Sequence, residues 1–247
     1  MTDYDVVVVG SGVAGLTAGI FVERAGLDAL LVDDGESILE RNAHLENVPG
    51  FPAGVNSRTF LDLTREQAER NGCSFADGRV ARVDETADGF ALRVEREDDA
   101  DEVEATYVVC TSWSDVDYLA DLDVGLIDRG SKTYVDVDEF GRTGVPGLYA
   151  AGRLAEKPHQ TVVAAGHGAE VALALVDDSE VPFYHDWVAP EGYFTGRGRE
   201  VPPGCEEIDE AERRRRERES LDLLCERFAE PHPGEPTQHP SVAEDEE

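Results

Sequence analysis

A run of four valines, Val6–Val9, passes directly into Gly10-Ser11-Gly12-Val13-Ala14-Gly15. Nothing else in the chain so narrows what it can fold into. Consecutive β-branched residues suit a strand buried on both faces. The glycines at 10, 12 and 15 fit a dinucleotide fingerprint: the first turns the chain, the second lets a pyrophosphate approach, the third lets helix pack on strand. Residues 14–25 then read as a helix and Ala29-Leu30-Leu31-Val32 as a second strand. Asp33, with Asp34 beside it, follows Gly15 at close to the roughly 20-residue spacing expected of an acid that holds a ribose hydroxyl. A glycine-rich turn with no ligand is the alternative, and it requires no acid at that distance.

Downstream, residues 58–71 predict a helix that ends at Gly72. Residues 78–84, 89–95 and 103–110 predict alternating strands, the last two joined by the acidic turn Asp98-Asp99-Ala100-Asp101. The expected fold class is α/β, Rossmann-like, with a parallel sheet and a small antiparallel flap.

Residues 1–180 resemble the FAD domain of the thioredoxin reductase-like flavin disulfide reductases. The resemblance is carried by the glycine loop and by Glu46-Asn47-Val48-Pro49-Gly50-Phe51-Pro52, similar to the family's flavin-contacting loop. It continues through the segment from Val135-Asp136-Val137-Asp138 to Ala151-Gly152, similar to the second FAD motif, and through His159-Gln160-Thr161-Val162 with the small-residue start Ala164-Ala165-Gly166. The resemblance implies FAD as cofactor. Its expected contacts are Gly10, Ser11, Gly12, Val13, Ala14, Gly15, Asp33, Asp34, Asn47, Val80 beside the adenine, Gly152, Arg153, Gln160, Thr161 and Val162. The helix from Thr161 is expected to direct its N-terminus at the flavin, with ordinary capping by Gln160 as the alternative.

Four departures from the family stand out. No second glycine fingerprint and no inserted NADPH module lie between Cys110 and the second motif, and Cys73, Cys110, Cys205 and Cys225 contain no C-x-x-C pair. Arg153 stands where the family carries an aspartate, and its guanidinium suits bidentate pairing with a pyrophosphate. Cys110-Thr111-Ser112 replaces a glycine-containing turn, which puts close backbone approach there in question.

The net charge of −32 comes from 54 acidic and 22 basic residues, with Lys132 and Lys157 the sole lysines. Acids spread through the elements predict a salt-rich, halophilic cytoplasm, where high ionic strength screens self-repulsion. They also argue against nucleic acid or membrane as partner, both being anionic. No signal peptide or membrane span is read, and the cysteine spacings match no zinc site, so no metal is expected. His44, His159, His167 and His185 are read first as structural, with a proton relay as the alternative. No catalytic residue is assigned.

The expected domains are 1–180 for FAD binding, in halves 1–112 and 113–180, and 181–247 as a C-terminal extension. Its aromatic residues Phe183, Tyr184, Trp187, Tyr193 and Phe194 are expected to pack over the flavin face or onto a second subunit in a homodimer. Residues 206–229 predict one helix, with Leu221, Leu224, Cys225 and Phe228 on a face that needs burial. Glu210–Arg214 and Glu212–Arg216 pairing is expected to neutralise its arginine run. The acidic end after Pro231 is expected to be disordered. The expected function is an oxidoreductase whose electrons come from free NAD(P)H or a redox partner protein. The alternatives are a non-catalytic FAD-binding module and an NAD(P)-binding protein.

Overall fold

A computed structural model describes residues 2–35, 37–238 and 242. The valine run forms β1 (Tyr4–Val9), followed by α1 (Val13–Arg24) and β2 (Ala29–Asp33). β1 and β2 pair in parallel from Val6 opposite Ala29 to Val9 opposite Val32. The second helix, α2 (Ser57–Asn71), starts where Asn56 accepts from the N–H groups of Arg58 and Thr59, and stops at Gly72 with φ 117°. There follow β3 (Ser74–Asp77), β4 (Arg79–Glu85), β5 (Phe90–Glu95) and β6 (Ala100–Cys110).

The main sheet has the order β3-β2-β1-β6-β5-β4, and β6 also pairs with β9 (Leu148–Ala150). The long β6 serves two structures. Its first half pairs antiparallel with β5, and its second half lies parallel between β1 and β9. One strand therefore joins the parallel sheet to the flap. Between β6 and β9 the chain makes a two-stranded hairpin, β7 (Leu126–Asp128) and β8 (Thr133–Val135). After β9 comes α3 (Thr161–Asp178).

Alternation along β1 divides the core. Val6 and Val8 pack with α1 and α3 residues such as Leu16, Val171 and Leu175, while Val7 and Val9 pack on the other face with Phe90, Tyr118 and Leu148. A side chain could not be tolerated where α1 meets α3: a Cβ on Gly168 would stand 2.2 Å from the Ala14 carbonyl oxygen. Contact this close fixes α3, and hence its N-terminus, against the glycine loop.

Residues 181–238 differ from expectation. β10 (Trp187–Pro190) and β11 (Cys205–Ile208) form a parallel two-stranded sheet where a loop and the start of a helix are predicted. The helix α4 (Glu210–Arg227) begins later, because Asp209 accepts from the Glu212 N–H at 2.8 Å and caps it. The aromatics cluster among themselves, with Trp187 and Tyr193 ring centroids 4.5 Å apart. They sit by the C-terminal end of α1, where Arg24 grips Asp186 with two hydrogen bonds. They do not cover the carboxyl edge of the sheet.

The apolar face of α4 is not buried either: Leu221 is 61% exposed and Leu224 44%. Arg227–Glu66 and Arg70–Glu219 pairs and a Phe228–Phe51 contact hold α4 along α2, at the reach of long charged side chains. The paired arginine run is present, Arg214 to Glu210 and Arg216 to Glu212. Of the end expected to be disordered, residues 231–238 lie against α2 and its approach through His232–Asp62 and a Thr237–Glu40 backbone bond. Residues 239–241 and 243–247 lie outside the described residues.

The short strands escape notice for a physical reason. β3 reads Ser-Phe-Ala-Asp and β7 Leu-Ile-Asp, too short to show a period of two. Pairing with a neighbour, not local pattern, makes them strands.

Candidate functional site

At the carboxyl end of β1 the sheet extends in opposite directions, to β2 on one side and β6 on the other. Such a switch point leaves a crevice, because the connections diverge from it. Here it opens into a cleft of about 850 Å³. Its wall includes Gly10, Ser11, Gly12, Val13, Ala14, Asp33, Asp34, Asn47, Val80, Arg153, Gln160 and Thr161. Three of the expected site residues stand outside the wall. Gly15 and Gly152 are buried beneath it, and Val162 turns outward, 41% exposed.

Each glycine of the loop has a distinct task. Gly10 has φ +99°, a conformation L side chains rarely adopt. A Cβ on Gly15 would stand 2.0 Å from the Gly10 carbonyl oxygen, whereas a Cβ on Gly12 would meet nothing within 4 Å. Gly12 thus leaves open space on the cleft side. The altered turn after β6 supports the loop: Thr111 Oγ1 lies 2.8 Å from the Val9 carbonyl oxygen and 2.9 Å from that of Gly10, sharing its hydrogen between them. Asp33 is held from both sides, accepting from the Ser11 hydroxyl and, at 3.2 Å, from the Gly35 N–H.

Among the described residues, the four α-helices divide by how their N-termini are treated. α2 and α4, which begin away from the cleft, are capped by Asn56 and Asp209. α1 and α3, which begin at it, have no side-chain cap. Unpaired N–H groups and the helix dipole favour negative charge at such ends. Gln160, expected as a flavin contact or a cap, does not cap α3; its Oε1 instead accepts from Asn47 Nδ2 at 2.7 Å.

Arg153 does not reach for the glycine loop. Its Nη1 donates to the Lys157 carbonyl oxygen, its Nη2 to the Tyr134 hydroxyl, and its guanidinium lies over the Tyr134 ring.

Residues 4–112 match the model of the pyridine nucleotide-disulphide oxidoreductase family. The chain is also similar to thioredoxin reductases, among them that of Aquifex aeolicus. The likeness covers less than half of the chain. Identity to the Aquifex enzyme is 36% over 87 residues, 34% of this chain and 27% of that protein. The Dictyostelium discoideum enzyme is 34% identical over 101 residues, 38% of this chain and 32% of its own length. The chain thus spans about a third or less of these relatives. Among solved structures, a thioredoxin reductase from Gloeobacter violaceus superposes with TM-score 0.60 at 17% identity, covering 71% of this chain and 95% of that one. The atypical thioredoxin reductase of Desulfovibrio vulgaris Hildenborough gives 0.62 at 17% identity, over 73% and 100%. At that identity the likeness is one of fold.

The four cysteines of the chain are all free and stand apart from one another along the fold. Cys73 follows α2, Cys110 ends β6, Cys205 opens β11 and Cys225 lies in α4. Burial pushes the Cys73 and Cys110 thiols up to about 12, which keeps them protonated and unreactive. No His/Cys/Asp/Glu cluster suited to a metal occurs among the described residues.

Two histidines bear on the site. His159 is in the cleft wall, its pKa lowered by burial and then by Arg153 and Lys132. His167 is buried, 4% exposed, its Nδ1 accepting the Gly152 N–H at 3.0 Å, and burial lowers its pKa to about 4. His44 also lines the cleft, whereas His185 stacks among the aromatics of the extension. Trp113, Arg79, Asp115 and Tyr118 also line the wall and were not foreseen. Arg79 adjoins the expected Val80 and pairs with Asp115 at 2.9 Å; no local signal marks Trp113 or the remote Thr237.

Proposed function

We propose that this chain binds FAD in the cleft and acts as an oxidoreductase, with residues 1–180 as the FAD-binding unit and 181–247 as an extension. The observation that carries the reading is the convergence of two uncapped helix N-termini, α1 and α3, on one cleft at the sheet's switch point. The residues present suit the group. Asp33 and Asp34 would hold a ribose, the Gly10–Ala14 amides a diphosphate, Val80 the adenine, and Asn47, Gln160 and Thr161 the ring system. Ser11, hydrogen-bonded to Asp33, orients that carboxylate.

Bound FAD supplies two-electron acceptance; the rest falls to the chain's own residues. The α3 N-terminus favours negative charge placed upon it, by about 0.3–1 kcal/mol where exposed and up to about 2 kcal/mol where partly buried. Donors come to such a site from solution, as free NAD(P)H or as a carrier protein. Among the described residues no helix is long and apolar enough to cross a membrane, and the acidic composition suits a salt-rich cytoplasm.

The separation of the four cysteines supports a second reading, a flavin module that does not itself reduce disulfides. One measurement distinguishes them. An absorbance spectrum of purified protein in high salt is expected to show flavin that bleaches with NADH and with dithionite. Flavin that bleaches with dithionite alone favours the second reading, and a colourless protein that takes up no added FAD defeats both.

A further inference from the structure

The extension reaches the cleft with its last described residues, not with its aromatics. Glu219 meets Arg70, Arg227 meets Glu66 and His232 meets Asp62, while a Cβ on Gly234 would lie 3.6 Å from Arg58 Cδ. The partners descend in sequence as the extension ascends. α4 and the segment after it therefore run antiparallel to α2, and past the start of α2 the Thr237 N–H donates to the Glu40 carbonyl oxygen at 3.3 Å. There Thr237 joins Ser37, Ile38, Glu40, Arg41 and Asn42 in the wall of the cleft.

The two sides of this contact differ in how firmly they are held. Residues 38–41 form a turn fixed by a capping box between Ser37 and Glu40, and the Glu40 carbonyl also accepts from Nη1 of the buried Arg58 at 2.9 Å. That side is rigid. Residues 231–238 carry Pro231, Pro233 and Pro236, which lack N–H groups and keep the stretch extended and stiff without strand pairing. Its printed bonds are few. His232 Nδ1 accepts the Gly234 N–H at 2.9 Å, which leaves Nε2 to carry the hydrogen toward Asp62 Oδ2 at 3.1 Å, and Thr237 makes the bond to Glu40. A segment held by a few bonds near the surface opens at low free-energy cost, and its stiffness lets it reclose as one piece.

We propose that residues 231–238 form a strap that closes the cleft at the Ser37–Asn42 rim and opens for the ligand to enter or leave. This rests on the reading of the cleft as an FAD site and adds how FAD is kept there: the strap sets the rates of exchange.

Thr237→Pro removes the N–H bonded to Glu40, and Asp62→Ala removes the partner of His232. Thr237→Ala alters the side chain and keeps the N–H. Release of FAD from the full-length protein, and its uptake after the flavin has been removed, are followed by flavin fluorescence at one fixed salt concentration. Entry and exit share one opening, so the protein carrying both Asp62→Ala and Thr237→Pro should release and take up FAD about tenfold faster, the worth of one hydrogen bond, with affinity and melting nearly unchanged. Thr237→Ala should behave as wild type. Unchanged rates, faster release alone, or an equal effect of Thr237→Ala would overturn the strap and leave Thr237 an ordinary wall contact. Hydrogen exchange at the Gly234 and Thr237 amides of flavin-free D62A protein reads the strap without the cofactor. Faster exchange than in wild type is expected, and equal exchange overturns the proposal whether or not FAD binds. A protein that takes up no FAD yet shows the faster exchange keeps the strap and defeats the FAD reading.

Discussion

Asn47 Nδ2 lies 2.7 Å from Gln160 Oε1, and this bond ties the loop after β2 to the first turn of α3 across the cleft. Neither residue caps a helix or supports the core. Their pairing is therefore expected to serve the ligand. Asn47→Ala should leave thermal stability nearly unchanged and weaken FAD retention by about three- to tenfold, the worth of one hydrogen bond. The ratio of flavin to protein after dialysis, beside a melting curve, checks both halves.

Two glycines at opposite sides of α1's start should behave in opposite ways. At Gly12 a new side chain enters open space, so Gly12→Glu should fold normally and lose FAD by filling and charging the place of a phosphate. At Gly168 a Cβ would lie 2.2 Å from the Ala14 carbonyl oxygen. The gain of about 1 kcal/mol for Gly→Ala in a helix is then outweighed by overpacking of about 1–3 kcal/mol or more. A G12E protein that melts like wild type but keeps its flavin would contradict the cofactor assignment. A G168A protein of unchanged stability would contradict the packing account.

His167 makes stability fall with acid. Burial lowers its folded pKa to about 4, so as pH drops below the ordinary 6.5 the unfolded chain takes the proton first. The contribution is complete above about pH 6.5 and is lost progressively down to about pH 4, amounting to roughly 2–4 kcal/mol. His167→Asn should flatten denaturation midpoints plotted between pH 6.5 and 5, even though its absolute stability is lower. An equally steep decline in the variant would exclude His167 as the source.

The charge balance predicts a salt requirement. Screening reaches about 10 Å at 0.1 M and about 3 Å at 1 M, so dilution lets the excess of acids repel over longer distances. The melting temperature should be higher in 3 M than in 0.1 M KCl. Equal values would show that the surface pairs already neutralise that repulsion.

The parallel core and its glycine loop were legible because local pattern and tertiary demand agree there: four valines need burial on both faces, and Gly10, Gly12 and Gly15 stand at spacings only such a turn requires. The stop of α2 at Gly72 was legible for a similar reason, since few other residues accept φ 117°. The first of the two roles expected for the aromatics of the extension, a cover over the flavin face, was not. Phe183 and Trp187 had the apolar area for a cover, but the Arg24–Asp186 clamp holds that segment by the far end of α1.

What the chain determines by itself is what short range can encode: strand, turn, helix, the acid at Asp33 and the excess of acidic charge. Tertiary structure alone decided that α1 and α3 both begin uncapped at one cleft, that Gln160 meets Asn47, and that Lys132 stands over Trp113. Those residues stand far apart in sequence, and no local preference selects their partners. They meet because Ala14 and Gly168 permit a close crossing of two helices and because β6 carries the chain from the flap back beside β1.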